Sequence, residues 1–272
     1  MLKTAFNKFK PTNLQLDQSA LDVHRLAAGY AGDRHAITDI SFKVEAGQRV
    51  AVIGPNGAGK STLFKAIVGL IPFTMGHISI HGEDCRSSHG LVGYVPQQSD
   101  IDWAFPVSVY DVVMMGRARH IGWFRLAGQK DRDIVHTILE QLSLTALAHR
   151  QIGELSGGQR RRVFVARALA QETRVLLMDE PFTGVDTSAE QEIMDTLEIL
   201  TENGITILLA THNMEKASTE FDKILLIKRR LLAYGTPQEV MQPKMLMEAF
   251  GGGIRIFQDG QDMVMITDNH GA

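Results

Sequence analysis

The chain has 272 residues, of which 44% are hydrophobic and 22% are charged, and its formal net charge is −3. This length suits one large domain with subdomains or two small domains, and the charge provides no basic field to attract nucleic acid. Cys85 is the only cysteine, which excludes an internal disulfide and favours a reducing compartment. No stretch approaches 18 apolar residues, so no segment is predicted to cross a bilayer.

Residues 1–20 are predicted to form a flexible lead-in without the apolar core of a signal peptide. Three apolar side chains lie beside three lysines here, which leaves open a small basic amphipathic turn at a membrane surface. These residues are Leu2, Phe6, Phe9, Lys3, Lys8 and Lys10.

After this lead-in, strand patterns alternate with helical ones. The predicted strands cover residues 22–44 (short pieces around a turn at 29–33), 49–53, 78–80, 91–95, 175–178, 205–210 and 224–227. The predicted helices cover residues 60–69, 188–200 and 213–220. Such alternation implies a mainly parallel sheet between helices.

The stretch from about residue 100 to 170 differs, because its apolar residues recur at helical spacing, most regularly over 134–144. We therefore expect a helical insertion between two parts of one sheet. In the tail, residues 251–272, two apolar segments flank Asp259 and Gly260, which predicts a β-hairpin.

A glycine-rich loop with the spacing of a phosphate-binding site follows the strand at 49–53 and opens a helix. It comprises Gly54, Pro55, Asn56, Gly57, Ala58, Gly59, Lys60, Ser61 and Thr62. Its glycines allow inward-pointing amides, and the helix N-terminus adds a favourable field for phosphate. Lys60 is expected to reach the β- and γ-phosphates, Ser61 suits Mg²⁺, and Thr62 suits an α-phosphate oxygen.

Two carboxylates, Asp179 and Glu180, end the apolar strand at 175–178. If this strand neighbours the one before the loop, Asp179 faces the same metal as Ser61, because parallel strands present their carboxyl ends at one edge. Asp179 would then hold Mg²⁺ through water, and Glu180 would approach the attacking water as general base. His212, after another strand, is placed to bond the γ-phosphate.

A second anion-binding helix terminus is predicted at residues 155–159, where Ser156 suits an N-cap and two glycines leave the first amides accessible. One nucleotide needs only one phosphate-binding loop. The second anion-binding terminus is therefore expected to bind the nucleotide of another copy of the chain, related by a two-fold axis. The residues are Ser156, Gly157, Gly158 and Gln159.

The segments GPNGAGKST, LSGGQ and LLMDEP, in this order, resemble the nucleotide-binding subunits of ABC transporters. The resemblance covers about residues 22–245, within a predicted domain at 21–250. It implies an α/β P-loop NTPase with a parallel-rich sheet, an antiparallel β subdomain and an inserted helical subdomain. It also implies ATP with Mg²⁺, sandwiched between Lys60 of one copy and Ser156 of a second copy.

Further roles follow from this resemblance alone. Gln97 matches the glutamine that senses Mg²⁺ and the attacking water, with Gln98 a weaker alternative. Tyr30 lies where the family stacks an aromatic residue on adenine. Asp186 belongs to a segment that crosses the dimer interface, and His212 matches the switch histidine.

The segment after Gln97, with Trp103, Phe105, Val107, Val112 and Met115, is densely apolar and is predicted to be partly core and partly a docking patch for a membrane subunit. With the preceding YVPQ, it resembles the ATPases of manganese, zinc and ferrous-iron importers. This implies a permease partner, an extracytoplasmic metal-binding protein, and a peripheral position on the cytoplasmic side of the membrane.

Alternatives are the motor of an ABC exporter and a soluble ABC-type ATPase not tied to transport. The recurrence of His77, His81, Cys85 and His89 is interpreted as solvated surface rather than a metal cluster, because four-residue spacing converges on one face of a helix and the sequence around residues 77–81 favours a strand instead. The run 160–162 of three arginines is interpreted as a solvated helix face.

Overall fold

The computed structural model describes residues 19–97, 99, 101–122 and 124–251, together with the backbone of residues 254–259 and 262–267. The basic amphipathic turn predicted around Phe6 and the alternative glutamine Gln98 lie outside these residues. In the described ranges, no helix combines the length and the apolar character needed to span a bilayer.

The strands are β1 (Ser19–Tyr30), β2 (Asp33–Glu45), β3 (Arg49–Ile53), β4 (Phe73–Ile80), β5 (Glu83–Asp84), β6 (Val92–Val95), β7 (Val175–Asp179), β8 (Thr206–Ala210), β9 (Lys223–Ile227), β10 (Leu231–Gly235), β11 (Ile254–Asp259) and β12 (Asp262–Thr267). The helices are α1 (Lys60–Ile67), α2 (Cys85–Ser88), α3 (Val109–Met115), α4 (Ala118–Ile121), α5 (Gln129–Gln141), α6 (Gly157–Ala170), α7 (Thr187–Glu202), α8 (Met214–Thr219), α9 (Pro237–Val240) and α10 (Pro243–Phe250).

The main sheet has the order β10-β9-β3-β8-β7-β6, and all its strands are parallel except the edge strand β10. Its central strands are continuous apolar runs because helices cover both faces, and Val50 to Ile53 are fully buried. The carboxyl ends of β3, β7 and β8 lie at one edge. However, β8 separates β3 from β7, so the assumption that these two are neighbours is wrong.

The second sheet is antiparallel, with the order β2-β1-β4-β5. The predicted short pieces of 22–44 are in fact two long strands, β1 and β2, which form a hairpin closed by the pair Tyr30 and Asp33. Ile37 and Ile40 on β2 are fully buried with residues of α1 and β3 in one apolar cluster. This sheet therefore packs beside the phosphate loop and carries Tyr30 at its hairpin tip.

The helical region lies between β6 and β7, where the sequence predicts it, and α3 and α5 pack against α6. Arg117 is 2% exposed and forms hydrogen bonds with several segments of this region. It donates to Asp131 at 3.1 Å, to Glu172 at 2.7 Å and to the Ala170 carbonyl at 2.8 Å. Since a buried guanidinium needs partners for its charge, these bonds fix α5 and the end of α6 around the start of α4.

In the tail, β11 and β12 pair antiparallel from Ile254 opposite Thr267 to Asp259 opposite Asp262. The turn residues Gly260 and Gln261 lie outside the described part of the chain. The strands themselves are those that the flanking apolar segments predict.

Candidate nucleotide-binding site

The phosphate loop lies between the end of β3 and the start of α1. Gly57 and Gly59 have φ angles of 75° and 96°, a left-handed conformation that side chains with a Cβ rarely adopt. A Cβ on Gly59 would lie 2.2 Å from Ile37 Cγ2, so β2 also leaves no room for a larger residue. The loop borders a cavity of about 470 Å³. Its lining comprises Ala36, Asn56, Gly57, Ala58, Gly59, Lys60, Ser61, Thr62, Gln97, Glu180 and Arg229.

Lys60 is the cation at the centre of the loop, and only 6% of it is exposed. Its Nζ donates to the carbonyls of Gly54 at 2.9 Å and Pro55 at 3.4 Å, and it lies 3.7 Å from Glu180 Oε1. The loop is thus folded around its own ammonium. An anion that enters the cavity would meet a charge that is already desolvated and fixed in place.

Asp179 is 1% exposed and is the other buried charged group at this edge. Burial raises the pKa of this carboxyl, while hydrogen bonds from Ser61 and Tyr94 oppose the rise. Tyr94 Oη lies 3.4 Å from Oδ2, and Oδ1 has no hydrogen-bond partner among the described residues. An unpartnered carboxylate oxygen beside a serine hydroxyl is the donor chemistry that Mg²⁺ prefers, so these residues fit that metal.

Glu180 follows the last residue of β7 and departs from the strand direction. Its φ is 47°, and its backbone N–H donates to the Ala210 carbonyl at 3.1 Å. The left-handed conformation costs on the order of 1 kcal/mol for a non-glycine residue and sends the side chain into the cavity instead of back into the sheet. Gln97 Nε2 donates to Glu180 Oε2 at 3.3 Å, so two predicted site residues that follow different strands are in direct contact.

Tyr30 and His212 are among the predicted residues that lie outside the cavity lining. His212 follows β8 and is exposed. Tyr30, at the tip of the β1–β2 hairpin, is 46% exposed. The structure does not bring either side chain to Glu180 or Lys60, so their roles stay predictions.

Ser156 caps α6 as the sequence predicts. Gln159 N–H donates to Ser156 Oγ at 3.3 Å, and Ser156 N–H donates to Gln159 Oε1 at 3.0 Å. This reciprocal arrangement is a capping box. Gly158 allows close packing on α7, because a Cβ there would lie 2.8 Å from Ala189 Cβ.

Asp186 has a local role that sequence reasoning missed. It caps α7, accepting from Ser188 Oγ at 2.6 Å and from Ala189 N–H at 3.0 Å. These bonds, the one from Ser188 first, lower the pKa of its carboxyl. The sequence signal was available, because an aspartate one residue before a helical pattern is a common N-cap.

The three consecutive arginines are not a solvated helix face, so that interpretation is wrong. Arg161 is 4% exposed and donates to the Thr183 carbonyl at 2.6 Å; burial lowers its pKa to about 10. Arg160 lies over the Trp103 ring at 4.6 Å, and Arg162 pairs with Glu192 at 3.4 Å. Because a helix turns by about 100° per residue, consecutive side chains point to different neighbours.

Ala36 and Arg229 also line the cavity, although the sequence motifs do not include them. Both come from segments far from the loop in sequence, and only the packing of β2 and the β9–β10 turn brings them there. A basic residue in a strand turn carries no local signal for phosphate.

Residues 37–183, more than half of the chain, match the sequence model of the family described as ABC transporter. The chain belongs to this family. It is therefore an ABC ATPase, and the resemblance noted from its motifs is confirmed, as is the α/β fold with a parallel-rich sheet.

Known proteins similar to this ABC ATPase include transport subunits. It is 43% identical over 233 residues to the manganese transport system ATP-binding protein MntB of Halalkalibacterium halodurans, covering 86% of this chain and 92% of the relative. It is 44% identical over 239 residues to the chelated iron transport system membrane protein YfeB of Yersinia pestis, covering 86% and 80%. The structure of cbiO1 from Clostridium perfringens, part of the ABC transporter complex cbiONQ, matches with a TM-score of 0.71 at 30% identity, covering 85% and 94%.

Asp179→Asn is expected to stabilise the nucleotide-free ABC ATPase, because the substitution removes a buried charge whose Oδ1 finds no hydrogen-bond partner in the described part of the chain. A gain of about 1 kcal/mol in the free energy of unfolding would raise Tm by roughly 2–4 °C. Thermal melting without nucleotide or metal measures this. Asp195→Asn, at an exposed aspartate of α7, is the control and should melt like the unchanged chain. A lower Tm for Asp179→Asn would contradict the assignment of a buried, poorly compensated carboxylate.

Proposed function

We propose that two copies of this ABC ATPase form the motor of an importer for a divalent metal ion, with manganese favoured and zinc or iron next. The similarity to the manganese transport subunit MntB over 86% of the chain carries this proposal. The permease and an extracytoplasmic metal-binding protein would be separate chains. The ATPase would then lie on the cytoplasmic side of the membrane as a peripheral subunit. Nucleic acid is not an expected partner.

ATP would lie with its phosphates in the cavity beside Lys60. The cavity lining supports this placement, because it combines the phosphate loop with Gln97 and Glu180. The Lys60 ammonium would exchange the carbonyls of Gly54 and Pro55 for phosphate oxygens. The adenine would extend towards Tyr30, whose exposed ring is free to stack.

Hydrolysis needs a base, an oriented water and a stabilised leaving group. Glu180 would accept the proton of the attacking water, and Gln97, already bonded to it, would hold that water in line. His212 would contact the γ-phosphate from the end of β8. Asp179 and Ser61, with Gln97, would hold Mg²⁺. When bound, Mg²⁺ would neutralise the charge that develops on the β- and γ-phosphates.

A second copy would complete the site through the cap of α6. The amides after Ser156 are backed by a helix, so they present a favourable field for the phosphates of another chain's ATP. Asp186 lies at the start of α7, next to α6 in the packing. Its segment would cross the interface between the two copies.

The permease would dock on the apolar segment between Gln97 and α4. The exposures in this segment support such a division of roles: Val112 is 5% exposed, whereas Phe105 and Met115 are 59% and 51% exposed. Met115 lines a groove of about 530 Å³ together with Met114, Ala118 and Ile121 among others. Such a groove suits the apolar face of a short helix from a membrane subunit.

Glu180→Gln should bind ATP but hydrolyse it on the order of 10²- to 10⁴-fold more slowly, because the general base is lost while the phosphate loop remains. Phosphate release and binding of a fluorescent ATP analogue measure the two effects. Glu192→Gln, at an exposed glutamate of α7, is the matched control. Near-normal turnover in Glu180→Gln would remove this residue from the base role.

Ser156→Arg should abolish ATP-driven dimerisation while the isolated chain still binds ATP through Lys60, because a long side chain would fill the space for the partner's phosphates. Size-exclusion chromatography with ATP, in the Glu180→Gln background, reports the dimer. The cap itself contributes about 1 kcal/mol, so Ser156→Ala controls for its loss. Equal loss of dimer in Ser156→Ala would attribute the effect to the helix cap. Weakened ATP binding by the Ser156→Arg monomer would contradict the shared site.

Phe105→Ser should uncouple ATP hydrolysis from transport, because Phe105 is exposed in the segment that follows Gln97 in the sequence and is not needed for the core. The assay is uptake of manganese, zinc and iron, measured ion by ion, in cells lacking the chain and complemented with each variant. The purified variant should keep its Tm and basal ATPase activity, whereas uptake and stimulation by the permease fall together. Met75→Ser, at a residue 57% exposed on the antiparallel sheet, is the control.

Normal stimulation of Phe105→Ser by the permease would contradict docking at this residue. Unchanged uptake of all three ions in cells that lack the chain would contradict metal import itself. A large fall in Tm for Phe105→Ser would show that the ring contributes to the core, as Phe164→Ser is expected to show at a 7% exposed position.

A further inference from the structure

An arginine outside the sequence motifs lies at the rim of the phosphate cavity. Arg229 is the middle residue of the turn between β9 and β10, and it lines the cavity together with Ala36 and Ala58. Its side chain is 59% exposed and is paired through Nη2 with Asp33 at the tip of the β1–β2 hairpin. The cavity therefore has a second cation besides Lys60 among its lining residues.

Both the N–H and the carbonyl of Arg229 are hydrogen-bonded to segments beside the cavity. Its N–H donates to the Ala58 carbonyl of the phosphate loop at 2.8 Å, and its carbonyl accepts from Thr38 of β2 at 2.7 Å. Its φ is 58°, a left-handed conformation that suits glycine or asparagine better than arginine. The turn thus holds a long basic side chain against the phosphate loop despite an unfavourable backbone conformation.

The ion pair with Asp33 places the guanidinium between two parts of the expected nucleotide site. Asp33 pairs with Tyr30 across the hairpin, so it lies at the adenine end. Gln97 and Glu180 contact each other at the hydrolytic end of the cavity. Arg229, bonded to Ala58, therefore lies towards the α- and β-phosphates rather than the γ-phosphate.

We propose that Arg229 is a nucleotide-binding residue that Asp33 holds across the cavity rim until a phosphate oxygen of the nucleotide replaces the carboxylate. This inference rests on the placement of phosphates beside Lys60 proposed above. A guanidinium has several donors in a fixed fork, so it can exchange a carboxylate for a phosphate without moving its backbone. Asp33 competes with the nucleotide in two ways, because it occupies the donors and its charge repels phosphate.

The test is the affinity of the full chain for fluorescent ATP and ADP analogues, together with KM and kcat for ATP. Arg229→Gln should weaken binding of both nucleotides by roughly 3- to 10-fold, a range set by charged hydrogen bonds at a partly exposed site. KM should rise by the same factor with little change in kcat, since the contact is remote from the γ-phosphate. Arg229→Lys should recover part of the affinity. Asp33→Asn should tighten binding of both nucleotides.

Arg230→Gln is the matched control, because this neighbouring arginine is 65% exposed, pairs with Glu248 at 3.1 Å and does not line the cavity. It should bind nucleotide normally. Unchanged affinity in Arg229→Gln would overturn the inference. So would equal weakening by Asp33→Asn and Arg229→Gln without recovery by lysine, which would show that the pair only braces the hairpin. Normal ATP affinity in Lys60→Ala would overturn the phosphate site itself, and the role of Arg229 with it.

Discussion

The rest of the site depends on the contacts that the buried Lys60 ammonium makes with its surroundings. A lysine with 6% exposure needs compensation, and here the compensation comes from the carbonyls of its own loop and from Glu180. Those same contacts keep the loop folded around a cavity when no anion is bound. The two carbonyls are uncharged acceptors and Glu180 lies beyond hydrogen-bond distance, so an anionic ligand could replace them with stronger, charge-assisted contacts.

Sheet order explains how distant motifs meet at this lysine. The phosphate loop follows β3, and the carboxylates end β7, with β8 between them. The gap is closed by α1, which packs against β7 and brings Ser61 to Asp179. Glu180 closes the remaining distance through its left-handed φ angle and its bond to the last carbonyl of β8. The intervening strand is therefore part of the site's geometry, and His212 emerges from its end.

The motifs were predictable from sequence because each is a local pattern of turn glycines, a helix start or a strand end. The contacts that were not predictable join residues far apart in sequence. Nothing near Arg161 indicates that its guanidinium would reach the Thr183 carbonyl, and nothing near Arg229 indicates a partner 196 positions away at Asp33. Hydrophobic periodicity predicts the helices, but the direction of one charged side chain is decided by the neighbours that packing supplies.

Packing also connects the segment after Gln97 with α6. Trp103, in the segment after Gln97, packs edge-on against Phe164 at 5.8 Å and under the Arg160 guanidinium. Both partners belong to α6, the helix that Ser156 caps. A ligand shifts a protein only as far as its contacts differ between two states, and this stack is one contact through which the segment after Gln97 meets α6. Glu180 contacts Gln97, which precedes this segment, and Ser156 caps α6. The exposed Phe105 side chain lies two residues from its centre. A change in the position of the segment after Gln97 would therefore act on α6 directly, through one aromatic contact.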